Sequence, residues 1–154
     1  MSEQEEQQPV FNIEKIYVKD LSLEVPNAPQ IFLEREAPQI DVQLHTESGA
    51  VSEGVYQSVL TVTVTAKIKD KTMFLVEASH AGIFQIRNIP QEDMDQVLGI
   101  ACPNILFPYV REVISDATNR AGFPPVMLNP MNFEVLYQQQ QVQKQQQAAA
   151  PVTH

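Results

Sequence analysis

The sequence is poor in the residues that most chemistry needs. It contains one cysteine, Cys102, so an internal disulfide framework is excluded and a reducing compartment suits the chain. A lone cysteine of this kind reads as a small buried apolar residue. The three histidines, His45, His80 and His154, stand apart from one another and from Cys102. That spacing excludes a zinc site or a histidine-based catalytic centre, both of which need ligands at fixed intervals. The five glycines are scattered, so no phosphate-cradling loop exists. Asp93 and Asp95, two apart on a helical stretch, fall on different faces and cannot act as a carboxylate pair.

Positive charge is equally scarce. Lys plus Arg number 10 against 19 Asp plus Glu, a net charge of -9. Nucleic acid and anionic membranes both select for the opposite sign, so a basic partner fits better. No unbroken apolar run approaches the roughly 20 residues that cross a bilayer. The first eight residues are acidic and polar, the reverse of a secretory signal, and the expected location is cytoplasmic.

What remains suits one domain: hydrophobic residues make up 44% of the 154. Residues 1–9 read as a disordered acidic lead-in, 10–137 as the folded domain, and 138–154 as a flexible tail in which eight of 17 residues are glutamine. Strand character runs from Phe11 to Val25, but its alternation changes phase twice. Phe11 and Ile13 share one parity, Ile16 and Val18 the other, and Leu21, Leu23 and Val25 return to the first. Bulges are therefore expected near Lys15 and Lys19. Asp20, Ser22 and Glu24 form the polar side, either a solvated surface or a docking patch for a cationic partner. Pro26 to Pro29 breaks the strand, and a loop carrying Ile31, Phe32 and Leu33 runs to Pro38.

A second strand alternates from Gln39 to Glu47, and Glu47 to Gly54 reads as a turn. The stretch Tyr56–Ile68 is the strongest strand, with Leu60, Val62, Val64, Ala66 and Ile68 on one face and Thr61, Thr63 and Thr65 on the other. A hairpin at Lys69–Lys71 returns the chain, with Phe74, Val76, Ala78, Phe84 and Ile86 in one phase and Leu75 and Glu77 opposite. Gly82 marks a bend or a close approach of backbone. Helical periodicity then takes over from Pro90 to Ala101. Pro103 is expected to stop that helix and Asn104 to cap the next, giving a rigid helix-to-helix corner with Pro108 in its first turn. Leu106, Val110, Val113, Ile114, Ala117 and Ala121 form the stripe of this second helix, and Gly122 supplies a left-handed stop. Asn129-Pro130 looks like the start of a third helix bearing Phe133, Leu136 and Tyr137.

Four strands followed by two to three helices, without βαβ alternation, give an α+β fold: a four-stranded antiparallel sheet with helices on one side. Two free sheet edges and a partly apolar threonine face favour an oligomer. With no cofactor expected and no catalytic constellation, the residues point to a non-enzymatic binding module.

Taken together, the segments resemble the SecB family of bacterial protein-export chaperones. The likeness rests on Lys15–Pro29, on Gly82-Ile-Phe-Gln-Ile86, on Leu98-Gly-Ile-Ala-Cys-Pro-Asn-Ile-Leu-Phe-Pro-Tyr-Val-Arg-Glu112, and on Pro130-Met-Asn-Phe133. It implies a cytoplasmic homotetramer, a dimer of dimers, that holds unfolded precursor polypeptides without ATP and delivers them to the SecA ATPase. It further implies that Asp20, Glu24, Leu75 and Glu77 form the docking site for the basic, zinc-containing tail of SecA, and that Phe32 and Tyr109 lie near the client groove. The alternative from another class is an oligomeric adaptor bridging folded partners. Two departures from the family pattern stand out. Glu36 occupies a position where tryptophan is common, and the Gln-rich tail replaces an acidic ending.

Overall fold

The computed structural model describes residues 8–149; residues 1–7 and 150–154 fall outside the described part, so most of the acidic lead-in and the last five tail residues are not described. Four strands, β1 (Val10–Glu24), β2 (Gln39–Ser52), β3 (Val55–Ile68) and β4 (Lys71–Arg87), pair antiparallel in the order β1-β4-β3-β2. Consecutive hairpins join β2, β3 and β4. β1 pairs at the far side of β4, so the β1–β2 loop must cross the end of the β3–β4 hairpin. The strands are long, at 14 to 17 residues, and β3 in particular is rich in β-branched side chains. Contrary to the sequence expectation, β2 does not end at Glu47. Backbone pairing continues through Ser48, Gly49 and Ala50 to Ser52, and only Glu53-Gly54 turn. The apolar rhythm lapses there, with Ser48, Gly49 and Ala50 in a row and Val51 exposed, so periodicity could not show the strand that its partner enforces.

The phase breaks in β1 are bulges, at Ile13/Lys15 and at Val18/Asp20. Each bulge inserts one residue and so re-phases the strand. The result is that Phe11, Ile13, Ile16, Val18, Leu21 and Leu23 all stand on the face of Phe84, Gly82, His80, Ala78 and Val76, the face that receives the helix. Gly82 is there because a Cβ would lie 2.7 Å from the Phe84 ring and 3.2 Å from Leu106.

The helical region departs from expectation. Gln91–Arg120 is one continuous helix, α1, with a π-helical stretch at Val97–Ala101. Cys102 keeps helical angles (φ −66°, ψ −49°), so Pro103 does not end the helix and Asn104 caps nothing. The wider π turn just before Pro103 leaves room for a residue that lacks an N–H and crowds the preceding carbonyls. Pro108 therefore sits inside α1. By length and composition α1 is also apolar enough to cross a membrane, which no unbroken run in the sequence suggested. Its apolar side is spoken for: Leu106, Val110, Ile114 and Ala117 join Val62, Val64, Phe74 and Val76 in the core. Gly122 (φ +94°) ends α1, with Phe123 donating to the Thr118 carbonyl. The final helix, α2, spans Phe133–Ala149, and its cap is Asn132, whose side-chain oxygen accepts from Val135 N at 3.1 Å, rather than Asn129. Phe133 is buried against Phe107, whereas the glutamines beyond Tyr137 are exposed except for half-buried Gln141.

Candidate functional site

Two surfaces stand out, one polar and one apolar. The face of the sheet turned away from α1 is assembled in rows by the strand register. Asp20, Ser79, Thr61 and His45 lie side by side across β1, β4, β3 and β2. The next row is Ser22, Glu77, Thr63 and Gln43, and the third is Glu24, Leu75, Thr65 and Asp41. Asp20, Glu24, Leu75 and Glu77 thus share one open face within two neighbouring strands. Glu77 accepts a hydrogen bond from the Thr63 hydroxyl at 3.3 Å, and the Thr61 and Ser79 hydroxyls pair at 2.7 Å. Asp20 and Glu24 are exposed, while Leu75 and Glu77 are half-buried between flanking strands. Asp41 adds a further carboxylate about 14 Å from Glu24, three strand spacings away. Its outward parity was legible in the sequence, but only the strand order ties it to the patch.

The apolar surface lies on the helix side, where α1 packs mainly over β3 and β4, meets the edge strand β2 through its π-helical stretch, and leaves Ile40 at the start of β2 exposed. A groove of about 590 Å³ opens there, between Ile40 and Val42 of β2, Met73 and Phe74 of β4, and Phe123, Met127 and Met131 of the α1–α2 linker. Buried Leu128 and Phe133 anchor the linker. The Thr118 hydroxyl ties it to α1, accepting from Val126 N at 3.0 Å while donating to the Ile114 carbonyl at 2.9 Å. Ile40 is 49% and Met127 66% exposed. Three of the five methionines, Met73, Met127 and Met131, line this groove. Unbranched thioether side chains remould around varied ligands, which favours loose specificity. The sequence reading missed these lining residues because they come from three separated segments.

The two residues expected at a client groove fall in different places. Phe32 stacks on Phe123 (ring centroids 5.1 Å apart), and Phe123 in turn meets Phe74 at 5.2 Å, so Phe32 adjoins the groove. Tyr109 does not. It lies over His80 at 5.7 Å, on the side of α1 nearer β1. Burial there holds the His80 pKa below its ordinary value, with Glu112 opposing the shift in part. The neighbouring edge strand β1 leaves Ile13, Val18, Leu21 and Leu23 between 37% and 48% exposed on the helix side. Cys102 is fully buried, and desolvation pushes its thiol up to about 12, which fits the structural role read from the sequence. Among the described residues, no group of three or more His, Cys, Asp or Glu is placed to hold a metal ion.

Comparison with known proteins agrees with the likeness read from the sequence. The family model described as preprotein translocase subunit SecB matches residues 4–145. The protein-export protein SecB of Thiobacillus denitrificans is 66% identical over 148 residues, covering 96% of this chain and 97% of that one. The protein of the same name from Methylobacillus flagellatus is 63% identical, covering 97% and 95%. Among solved structures, a Mycobacterium tuberculosis SecB-like chaperone in complex with a ChAD peptide from an antitoxin shares the fold, with a TM-score of 0.66 at 16% identity, over 79% of this chain and 90% of that one. With the family model spanning nearly the whole chain and relatives this similar end to end, the chain belongs to the SecB family of protein-export chaperones.

Proposed function

We propose that this protein is a non-catalytic, ATP-independent holding chaperone of the cytoplasm that binds unfolded precursor polypeptides and hands them to the SecA ATPase. The observation that carries the reading is the open Met-lined groove beside the bare edge of β2. Apolar side chains of an extended client fill such a groove, and its backbone can pair with the free strand edge, which requires no particular sequence. A folded protein offers neither feature.

The exposed apolar stripe of β1 supports assembly. Ile13, Val18, Leu21 and Leu23 are uncovered by any helix of their own subunit, and a second copy would cover them. The working form is a homotetramer, a dimer of dimers. Several grooves on one particle let a long client bind at many weak points and still exchange. The acidic face with Asp20, Glu24, Leu75 and Glu77 serves as the docking site for the basic tail of SecA, because carboxylates around one half-buried leucine attract cations while offering an apolar contact.

The test uses a denatured precursor diluted into buffer without nucleotide. The protein slows its refolding, and ignores the same precursor once folded. Ile40→Lys with Met127→Lys, two exposed groove positions, weakens holding about tenfold by placing charge in the apolar seat. Unchanged holding by that variant contradicts the assignment of the groove. Binding of folded partners in place of unfolded ones supports an adaptor instead.

A further inference from the structure

The β1–β2 loop has to traverse the sheet, and it does so in two unlike halves. The first half is firmly seated. Asn27 Nδ2 donates to the Thr72 carbonyl at 2.9 Å, Ile31 N to the Asn27 carbonyl at 2.9 Å, and the Ile31 side chain is 2% exposed in the core. The second half, leading to Pro38 in the groove wall, begins with Glu34 N donating to the Ile31 carbonyl at 3.2 Å and is otherwise fastened by surface ion pairs: half-buried Glu34 to exposed Lys71 at 3.9 Å, and Glu36 to Lys69, both exposed, at 3.4 Å. Such pairs hold weakly and are screened by salt. Between the halves sits Phe32, 44% exposed, with its ring laid flat on Phe123 (19° between planes) above Gly122. An aromatic ring so exposed gains little from burial, yet it covers one side of the residue that also lines the groove.

We propose that Phe32 is an internal stand-in for a client's aromatic side chain, and that residues 32–38 form a salt-fastened strap that gives way when a client phenylalanine or tyrosine takes that ring's place on Phe123. This rests on the groove reading above and makes the groove longer than it is at rest, by one aromatic subsite. Glu36 contributes directly, through Lys69, to keeping the strap down. The closed strap then lowers apparent affinity by the fraction of time the subsite is covered. It also biases the site toward clients with an aromatic residue strong enough to displace it.

The sign of one substitution decides the matter. Dye-labelled unfolded peptides that differ only in phenylalanine or leucine at one position are titrated against the full chain by fluorescence anisotropy. If Phe32 is a competitor, Phe32→Ala binds the phenylalanine peptide about three- to tenfold tighter, and the leucine peptide gains less. If Phe32 is an ordinary contact, the same variant binds both peptides more weakly, and the proposal fails. Should Phe32→Ala not fold, Glu34→Gln with Glu36→Gln leaves the core untouched. The unaltered chain should capture the phenylalanine peptide faster as salt rises, whereas that variant should capture it about two- to fivefold faster at low salt and gain nothing further from salt. Equal rates with and without the ion pairs overturn the strap. A peptide that binds none of the proteins overturns the groove reading itself, a result separable from the others.

Discussion

Glu24 of β1 stands directly across from Leu75 of β4, and the same register sets Glu77 beside Ser22 and Ser79 beside Asp20. Had the second β1 bulge been missing, the carboxylates of Asp20 and Glu24 would face the helix. The acidic patch therefore exists because Val18/Asp20 is bulged.

Asp20→Ala combined with Glu24→Ala is expected to weaken binding of a basic SecA tail about tenfold at low salt, and much less at high salt, because the attraction is long-range and screened. Client holding stays unchanged, since both residues lie on the sheet face opposite the groove. Titration calorimetry at two salt concentrations checks this. An unaltered affinity at low salt would reject the docking assignment.

Gly82→Ala tests the packing of α1 on the sheet. The added methyl meets the fully buried Phe84 ring at 2.7 Å and Leu106 at 3.2 Å, and neither can retreat. Overpacking of this sort costs about 1–3 kcal/mol. Urea unfolding should show that loss with an unchanged slope; full stability would mean that the helix can move off the strand.

His80 makes stability depend on pH. Its folded-state pKa lies below 6.5 because it is buried beside Tyr109. Above pH 6.5 both folded and unfolded forms carry a neutral ring, and nothing is lost. As pH falls below 6.5 the unfolded chain takes up a proton that the folded one refuses, so stability declines. Replacing His80 with Gln should flatten the decline between about pH 6.5 and 5, as read by urea midpoints. Parallel profiles for the two proteins would remove His80 as the cause.

Cys102 offers a probe of the joint between the π-helical stretch and the rest of α1. With its thiol pushed up to about 12 and no exposure, it should react at least about a hundredfold more slowly with a thiol reagent in the native protein than in urea. Rapid native labelling would show that this joint opens.

Much of the fold was legible from side-chain period alone. The two phase breaks in β1 announced their bulges, and the alternation of Leu60 to Ile68 against Thr61 to Thr65 gave the inner and outer faces of β3. Proline was the misleading signal. Pro103 reads as a helix stop because the usual cost of an interior proline is high, and only the π-helical turn at Val97–Ala101 shows how that cost is relieved. The end of β2 was hidden because Ser48, Gly49 and Ala50 carry no apolar rhythm and are held in line by β3. The third-helix start was misplaced by three residues, since Asn129 and Asn132 are equally good caps by type.

The site divides along the same line. The outward parities of Asp20, Glu24, Leu75 and Glu77 are a local property of their strands, but it was the family resemblance that grouped them, and the β1–β4 pairing that sets them side by side. The groove was not legible, since Val42, Met73 and Met127 meet only after the sheet and linker have folded. The places of Tyr109, over His80, and of Phe32, on Phe123 beside the Met-lined groove, likewise depend on how α1 and the linker pack on the sheet.

The most direct test of the account is light scattering on the purified protein, alone and with an unfolded precursor. The account predicts a particle of about four times 17.3 kDa that gains mass when denatured precursor is added without nucleotide, and none when the precursor is folded. A 17.3 kDa species indifferent to denatured chains would contradict it.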